Sequence, residues 1–203
     1  MIDVPRYCLY DTPVSRIFVG RSVLLDWDHA TPPLEQAMTS RPKHDPGSVL
    51  VRPIEPGDFE LERRFVDGVS PRTGYQRLMS PRRPSDDEVR RWTNIDPERE
   101  GALVAIVSSA GEERMIGVAR YAMDEGADEA EFAIVLSDDW QGMGLGRRLL
   151  SALIEVARHS GVRRLFGTTF SENKAMLDLA RRLGFTMSRE QGAAIDTTMS
   201  LTL

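Results

Sequence analysis

"DDWQGMGLGRRLL", residues 138–150, decides how this chain folds. Gly142, Gly144 and Gly146 stand at alternate positions between an apolar run, "EAEFAIVLSD" (129–138), and an amphipathic one, "RRLLSALIEVARHSG" (147–161). A glycine inside a helix or strand costs about 0.5–1 kcal/mol relative to alanine, so three in five residues mark a turn that requires them. A strand that enters a helix through such a turn aims several backbone N–H groups in one direction. The helix adds about half a positive charge at its first turn. The product is an anion site, suited above all to phosphate. The helix is predicted to begin between Gly144 and Arg147, with Arg147 and Arg148 adding charge.

Two familiar phosphate motifs do not fit. A P-loop would need a second glycine and a lysine that are absent after Gly142. In a dinucleotide fingerprint the third glycine would fall on Arg147 or Leu149. The preceding strands also read as an antiparallel meander rather than the opening of a parallel sheet.

Outward from the turn, strands are predicted at "VLVRPI" (49–54), "ALVAIVSS" (102–109), "RMIGVARYAM" (114–123) and 129–138, then at "RRLFGTTF" (163–170), "FTMSRE" (185–190) and "AAIDTTMSLTL" (193–203). Helices are predicted at "DFELERRFVDGVS" (58–70), "SDDEVRRWTN" (85–94), 147–161 and "SENKAMLDLARRLGF" (171–185). Ser171 is the expected cap of the last, with Met176, Leu177, Ala180 and Leu183 as its apolar face. "SPRTGYQRLMSPRRP" (70–84), with prolines at each end, reads as a loop or broken helix. The order β-α-α-β-β-β-α-β-α-β-β predicts an α/β (α+β-like) fold: a mixed, mostly antiparallel sheet with flanking helices and one parallel crossover near Gly146 to Phe170. Residues 49–203 form this domain. Residues 1–48 hold six of the twelve prolines and read as an extension or linker, with a short strand or hairpin at "SRIFVGRSVLLDW" (15–27).

Composition narrows the function. The 203 residues are 41% hydrophobic and 28% charged, with a formal net charge of -5. That balance gives no footprint for nucleic acid or an anionic membrane. No apolar run spans a bilayer, and no basic-then-apolar leader opens the chain. The single cysteine, Cys8, allows no internal disulfide and points to the cytoplasm. His29, His44 and His159 lack metal-ligand spacing, so no metal is expected. There is no G-x-S-x-G of a serine hydrolase. Nothing fixes the oligomeric state, and a homo-oligomer stays open.

The second anomaly is Glu131. Alternation places it with Ala133 and Val135 on one strand face, and both faces are otherwise apolar. A semi-enclosed carboxyl without a cation has a raised pKa. The alternative is a strand-end glutamate that reaches water or pairs with an arginine.

Q-x-x-G-x-G, on Gln141, Gly144 and Gly146, together with "ENKAMLDLARRLGF" (172–185), resembles the coenzyme A loop and following helix of the GNAT N-acetyltransferase superfamily. "VRPIEPGD" (51–58), "SPRTGYQRLMSP" (70–81) and "AEFAIVLSDDWQGMGLGRRLL" (130–150) further resemble the acetyltransferase domain of the bacterial Pat-type protein lysine acetyltransferases. The resemblance covers 49–203. It implies acetyl-CoA as cosubstrate, with its pyrophosphate on the backbone of Gln141, Gly142, Met143, Gly144, Leu145 and Gly146, and Arg147 nearby. The pantetheine arm would lie along Ile134, Val135 and Leu136, beside backbone that splays from the next strand. Asn173 would hydrogen-bond the arm, with Met176 on the same helix; as an alternative, Asn173 simply starts that helix. Glu131 would be the general base.

Many superfamily members carry a tyrosine seven residues after that asparagine. Here the position is Ala180, and the Pat-type domains resemble this chain in lacking the tyrosine. The large synthetase-like domain of most Pat-type proteins does not appear in these residues, so their regulation does not transfer.

The implied acceptor is a protein lysine, for example of an acyl-CoA synthetase. The segment 69–84 would help wall the acceptor site. Its Arg72, Arg77, Arg82 and Arg83 would suit an acidic protein surface, or form a merely solvated loop. A small amine (aminoglycoside, amino acid or polyamine) is the alternative acceptor, and a non-catalytic CoA-binding domain is the third reading.

Overall fold

Alternating apolar positions and closely spaced turns produce seven strands in the computed structural model, which describes residues 49–109, 111–189 and 195–203. The expectations for residues 1–48 fall outside the described residues. The strands are β1 (Leu50–Pro53), β2 (Glu100–Ser109), β3 (Glu112–Met123), β4 (Glu129–Leu136), β5 (Arg164–Phe170), β6 (Thr186–Ser188) and β7 (Asp196–Thr202). They form one sheet in the order β1-β2-β3-β4-β5-β7-β6. Every pairing is antiparallel except β4 with β5. This is the mixed sheet with one parallel crossover that the pattern predicts.

The helices are α1 (Phe59–Gly68), α2 (Pro71–Leu78), α3 (Asp86–Thr93), α4 (Leu145–His159) and α5 (Lys174–Arg182). Each face of the sheet has its own core. On one, α4 buries Leu149, Leu150, Leu153 and Ala157 against Leu103, Ala119 and Leu165. On the other, Phe65 of α1 packs against Val104, Ile106 and Val118. Fully burying one such leucine or phenylalanine is worth about 1.5–3 kcal/mol. β2 is buried on both faces between Gly101 and Ile106, which explains its continuous rather than alternating apolar run. No helix among the described residues is long and apolar enough to cross a membrane.

One local reading is resolved and another corrected. Segment 70–84 takes the broken-helix alternative and contains a capped helix, α2. The Ser70 hydroxyl accepts from the Thr73 amide at 3.2 Å, and Pro71 occupies the first turn, where its missing N–H costs nothing. The helix stops at Met79, whose φ of 48° is left-handed. The cap of α5 is Asn173 rather than Ser171: its Oδ1 accepts from the Met176 amide at 3.2 Å.

Candidate active site

β4 begins beside β5 and then leaves it. The parallel register holds for Glu129↔Arg164, Ala130↔Leu165 and Glu131↔Phe166 and goes no further, although both strands continue. Gly167 lies at the fork; a Cβ there would stand 2.8 Å from the Phe132 carbonyl oxygen. Beyond it, Ile134, Val135 and Leu136 pair with β3 on one edge and are half-buried. On their other edge the pairing with β5 does not continue.

Glu131 is the last residue of β4 that pairs with β5. It stands opposite Ala122 of β3, two positions from Ala133, which is opposite Arg120. Same-edge alternation puts it with Val135 on the α1 side of the sheet. Burial pushes its carboxyl above the usual range; the Arg77 guanidinium partly opposes this and Asp124 reinforces it. Its strand neighbour Glu129 is half-exposed and accepts two hydrogen bonds from Arg164, Nε at 2.7 Å and Nη2 to the other oxygen. Those bonds hold the Glu129 carboxyl below its usual range.

β4 leads on to the glycine turn that opens α4. Gly142 and Gly144 have φ of 75° and 85°, conformations that L side chains rarely adopt. Open space lies where their Cβ atoms would be. Gly146 serves a different need: a Cβ would meet Leu136 and Leu179 at 3.4 Å, so its absence lets α4 start close to β4 and α5. Gly144 caps α4 without a side-chain acceptor. Among the described residues, the first amide of this region with a backbone acceptor outside the helix is that of Arg148, donated to the Gly144 carbonyl at 3.2 Å. Leu145 is buried, Met143 half-buried, and Arg147 and Arg148 are exposed. A diphosphate therefore fits: the residues present supply unclaimed N–H groups, a helix N-terminus and room for close approach.

Gln141 differs from its neighbours. Its amide is donated to the Asp138 carbonyl at 3.2 Å, and its side chain donates to the Leu136 carbonyl at 3.2 Å and to the Thr73 hydroxyl at 3.3 Å. Asn173 uses its Oδ1 as the α5 cap and its Nδ2 to reach the Thr169 hydroxyl at 3.1 Å. Met176 packs at the edge of the α4-side core, and Ala180 is fully buried there.

On the α1 side lies a cavity of about 180 Å³. Phe65, Val69, Tyr75, Val118 and Val135 give it apolar walls, and Arg77 and Arg83 also line it. Its floor carries a buried ion pair, Glu62 with Arg120. Arg120 also donates to the Trp92 carbonyl at 3.2 Å and lies over that ring. Among the described residues, Glu62 Oε2 and Arg120 Nε find no hydrogen-bond partner. Sequence reading missed this pair, yet its signal was present: each is a charged residue on an otherwise apolar face, in "FELERRFV" and "IGVARYA". Tyr75 stacks flat on Phe170 of β5, centroids 5.0 Å apart at 9°. Of the predicted basic segment, Arg82 is engaged by Glu88 at 2.7 and 2.8 Å.

A strand that parts from a parallel neighbour, followed by a turn of free amides capping a helix, is an arrangement that an extended ligand with an anionic end would fit. The comparisons give that arrangement its family. The acetyltransferase (GNAT) family matches residues 71–185, and this chain belongs to it. An acetyltransferase of Pseudomonas aeruginosa is 36% identical over 143 residues, covering 70% of this chain and 77% of that one. The acetyltransferase Pat of Mycolicibacterium smegmatis is 30% identical over 74% of this chain, which spans only 45% of Pat's length. The crystal structure of the GNAT domain of S. lividans PAT superposes with a TM-score of 0.67 at 29% identity, covering 75% of this chain and 89% of that one. The chain is an N-acetyltransferase with a GNAT fold related to the Pat-type domains.

Proposed function

We propose that residues 49–203 transfer the acetyl group of acetyl-CoA to the side-chain amine of a lysine on a protein, with Glu131 as general base. The observation that carries the reading is the place of Glu131: half-buried, at the last paired step before β4 and β5 part. A pantetheine arm laid along Ile134 to Leu136, with its diphosphate on the amides of Gly142 to Arg147, brings the thioester to this fork.

The chemistry asks for a base. Lysine's ordinary pKa is about 10.4, so neutralising it at pH 7 costs about 4.6 kcal/mol. Glu131 takes the proton, directly or through a water, as the amine attacks the carbonyl carbon. The C–S bond then breaks and the thiolate leaves. A thiol pKa near 8.5 makes its protonation by water undemanding, which agrees with a buried Ala180 where other members place a hydroxyl. A carboxyl raised by burial is a better proton acceptor near neutrality than an exposed one. Arg72 and Arg83, exposed beside the acceptor face, suit an acidic protein surface.

The cavity under α2 favours a second reading. Its walls enclose space for a whole small amine rather than only the end of a side chain. The test is acetyl-CoA-dependent thiol release with an acyl-CoA synthetase and, separately, with aminoglycosides, amino acids and polyamines. Release and lysine acetylation, seen by mass spectrometry, with the synthetase alone are expected. Turnover with the small-amine panel alone replaces the first reading by the second.

A further inference from the structure

α2 is tied to the donor turn by one side chain. The Asp138 carboxylate accepts from the Ser70 amide at 3.0 Å, the Ser70 hydroxyl at 2.7 Å and the Thr73 hydroxyl at 2.7 Å. Gln141 adds its bond to the same Thr73 hydroxyl at 3.3 Å. These contacts join residues 65–68 positions apart, and all converge on the first turn of α2. Hydrogen bonds to a carboxylate are stronger than neutral ones, so the joint is stiff.

What it joins is specific. Asp138 and Gln141 bracket Trp140, which is buried at 2% exposure and roots the turn in the core. The amides proposed to hold the diphosphate start at Gly142, the next residue. From its anchored end α2 crosses to β5, where Tyr75 meets Phe170, and its Arg77 acts on both Glu131 and Glu62. The helix thus roofs the fork on the side where the acceptor must approach. Its position is set by a residue belonging to the donor turn.

We infer that Asp138 is a positioning residue: it transmits the state of the donor turn to α2, so that donor and acceptor sites are energetically coupled. This rests on reading the turn as the coenzyme A site. A ligand that fixes the turn fixes Asp138, and Asp138 fixes Ser70 and Thr73. By linkage the acceptor must then tighten the donor by the same factor.

Hydrogen–deuterium exchange on the full chain, with coenzyme A as the probe, tests this without turnover. In the wild type, coenzyme A should slow exchange in both 141–148 and 70–78. In Asp138→Ala the first protection should persist and the second should vanish. Thr73→Ser, which keeps the hydroxyl, should behave as wild type, and Thr73→Val should lose part of the effect. In kinetics, Asp138→Ala should raise the acceptor KM about tenfold and leave the coenzyme A Kd within about threefold. Exchange in 70–78 that ignores coenzyme A in the wild type, or that slows equally in Asp138→Ala, overturns the inference. Failure of coenzyme A to bind at all would instead overturn the donor-site reading, and failure of every lysine acceptor would overturn only the acceptor.

Discussion

The two halves of β4 share a partner on one edge and differ on the other. Glu129 pairs with β5, Ala130 and Glu131 have β3 and β5 at their sides, and from Phe132 to Leu136 the strand has β3 alone. Glu129 and Glu131 lie two residues apart on one face, yet their carboxyls move in opposite directions. Glu129 sits in the outer, paired end, where Arg164 holds it ionised. Glu131 stands at the fork, where burial outweighs the opposing charge of Arg77. The same residue type becomes a surface tie in one place and a candidate base in the other, because the sheet closes around one and opens beside the other.

The sharpest way to break that contrast is to neutralise each carboxyl in turn. Glu131→Gln should lower turnover by about 10²- to 10⁴-fold with acetyl-CoA affinity unchanged. Glu129→Gln, removing a half-exposed pair, should change turnover by less than about threefold. The wild-type rate should fall as pH drops through the raised Glu131 pKa, on an acid limb above the ordinary glutamate value of about 4.3. Steady-state kinetics across pH check all three; equal losses in the two variants would end the distinction.

The next effect belongs to the open half and its turn. Gly144→Val forces a β-branched residue to a φ of 85°, a strain of about 1–3 kcal/mol that the turn relieves by re-aiming its amides. Acetyl-CoA affinity should drop by about tenfold or more. Gly146→Ala, at ordinary φ and meeting only flexible leucine methyls at 3.4 Å, should stay within about threefold. Calorimetric titration separates the two, and indifference at Gly144 would remove the turn from donor binding.

Much of this contrast was legible in residues 129–150. Alternation gave β4, the three glycines gave the turn, and the isolated glutamate gave the candidate base. What stayed hidden depends on distant partners. That β4 and β5 part after Glu131 follows from the register with Phe166 and the bare backbone of Gly167, which no local pattern encodes. The role of Asp138 needs Ser70, 68 residues away in sequence. Segment 70–84 takes the broken-helix alternative: Ser70 followed by Pro71 is a legible helix start, but the left-handed Met79 that ends the helix is not signalled by a glycine or proline. Asn173 likewise carried two legible meanings, arm ligand and helix cap, and its side chain occupies the second.

The smallest effect concerns stability, and its sign follows from the same two carboxyls. A group whose pKa is raised on folding favours the fold at low pH and opposes it once pH passes the folded value. Above that range the wild type carries a charge at Glu131 that burial penalises. Glu131→Gln should therefore raise Tm by a few degrees at most at pH 8, and the gain should disappear by about pH 3, well below the ordinary glutamate value, where the wild-type carboxyl is neutral in both states. Glu129→Gln should do the reverse. Its lowered pKa stabilises the fold above the ordinary glutamate range, so the variant loses a little Tm at pH 8 and nothing in strong acid. Thermal melts at the two pH values read both. A lower Tm for Glu131→Gln at pH 8 would mean that the carboxylate is held by the fold as firmly as Glu129 is, and a carboxylate so held has no reason to take a proton from an amine.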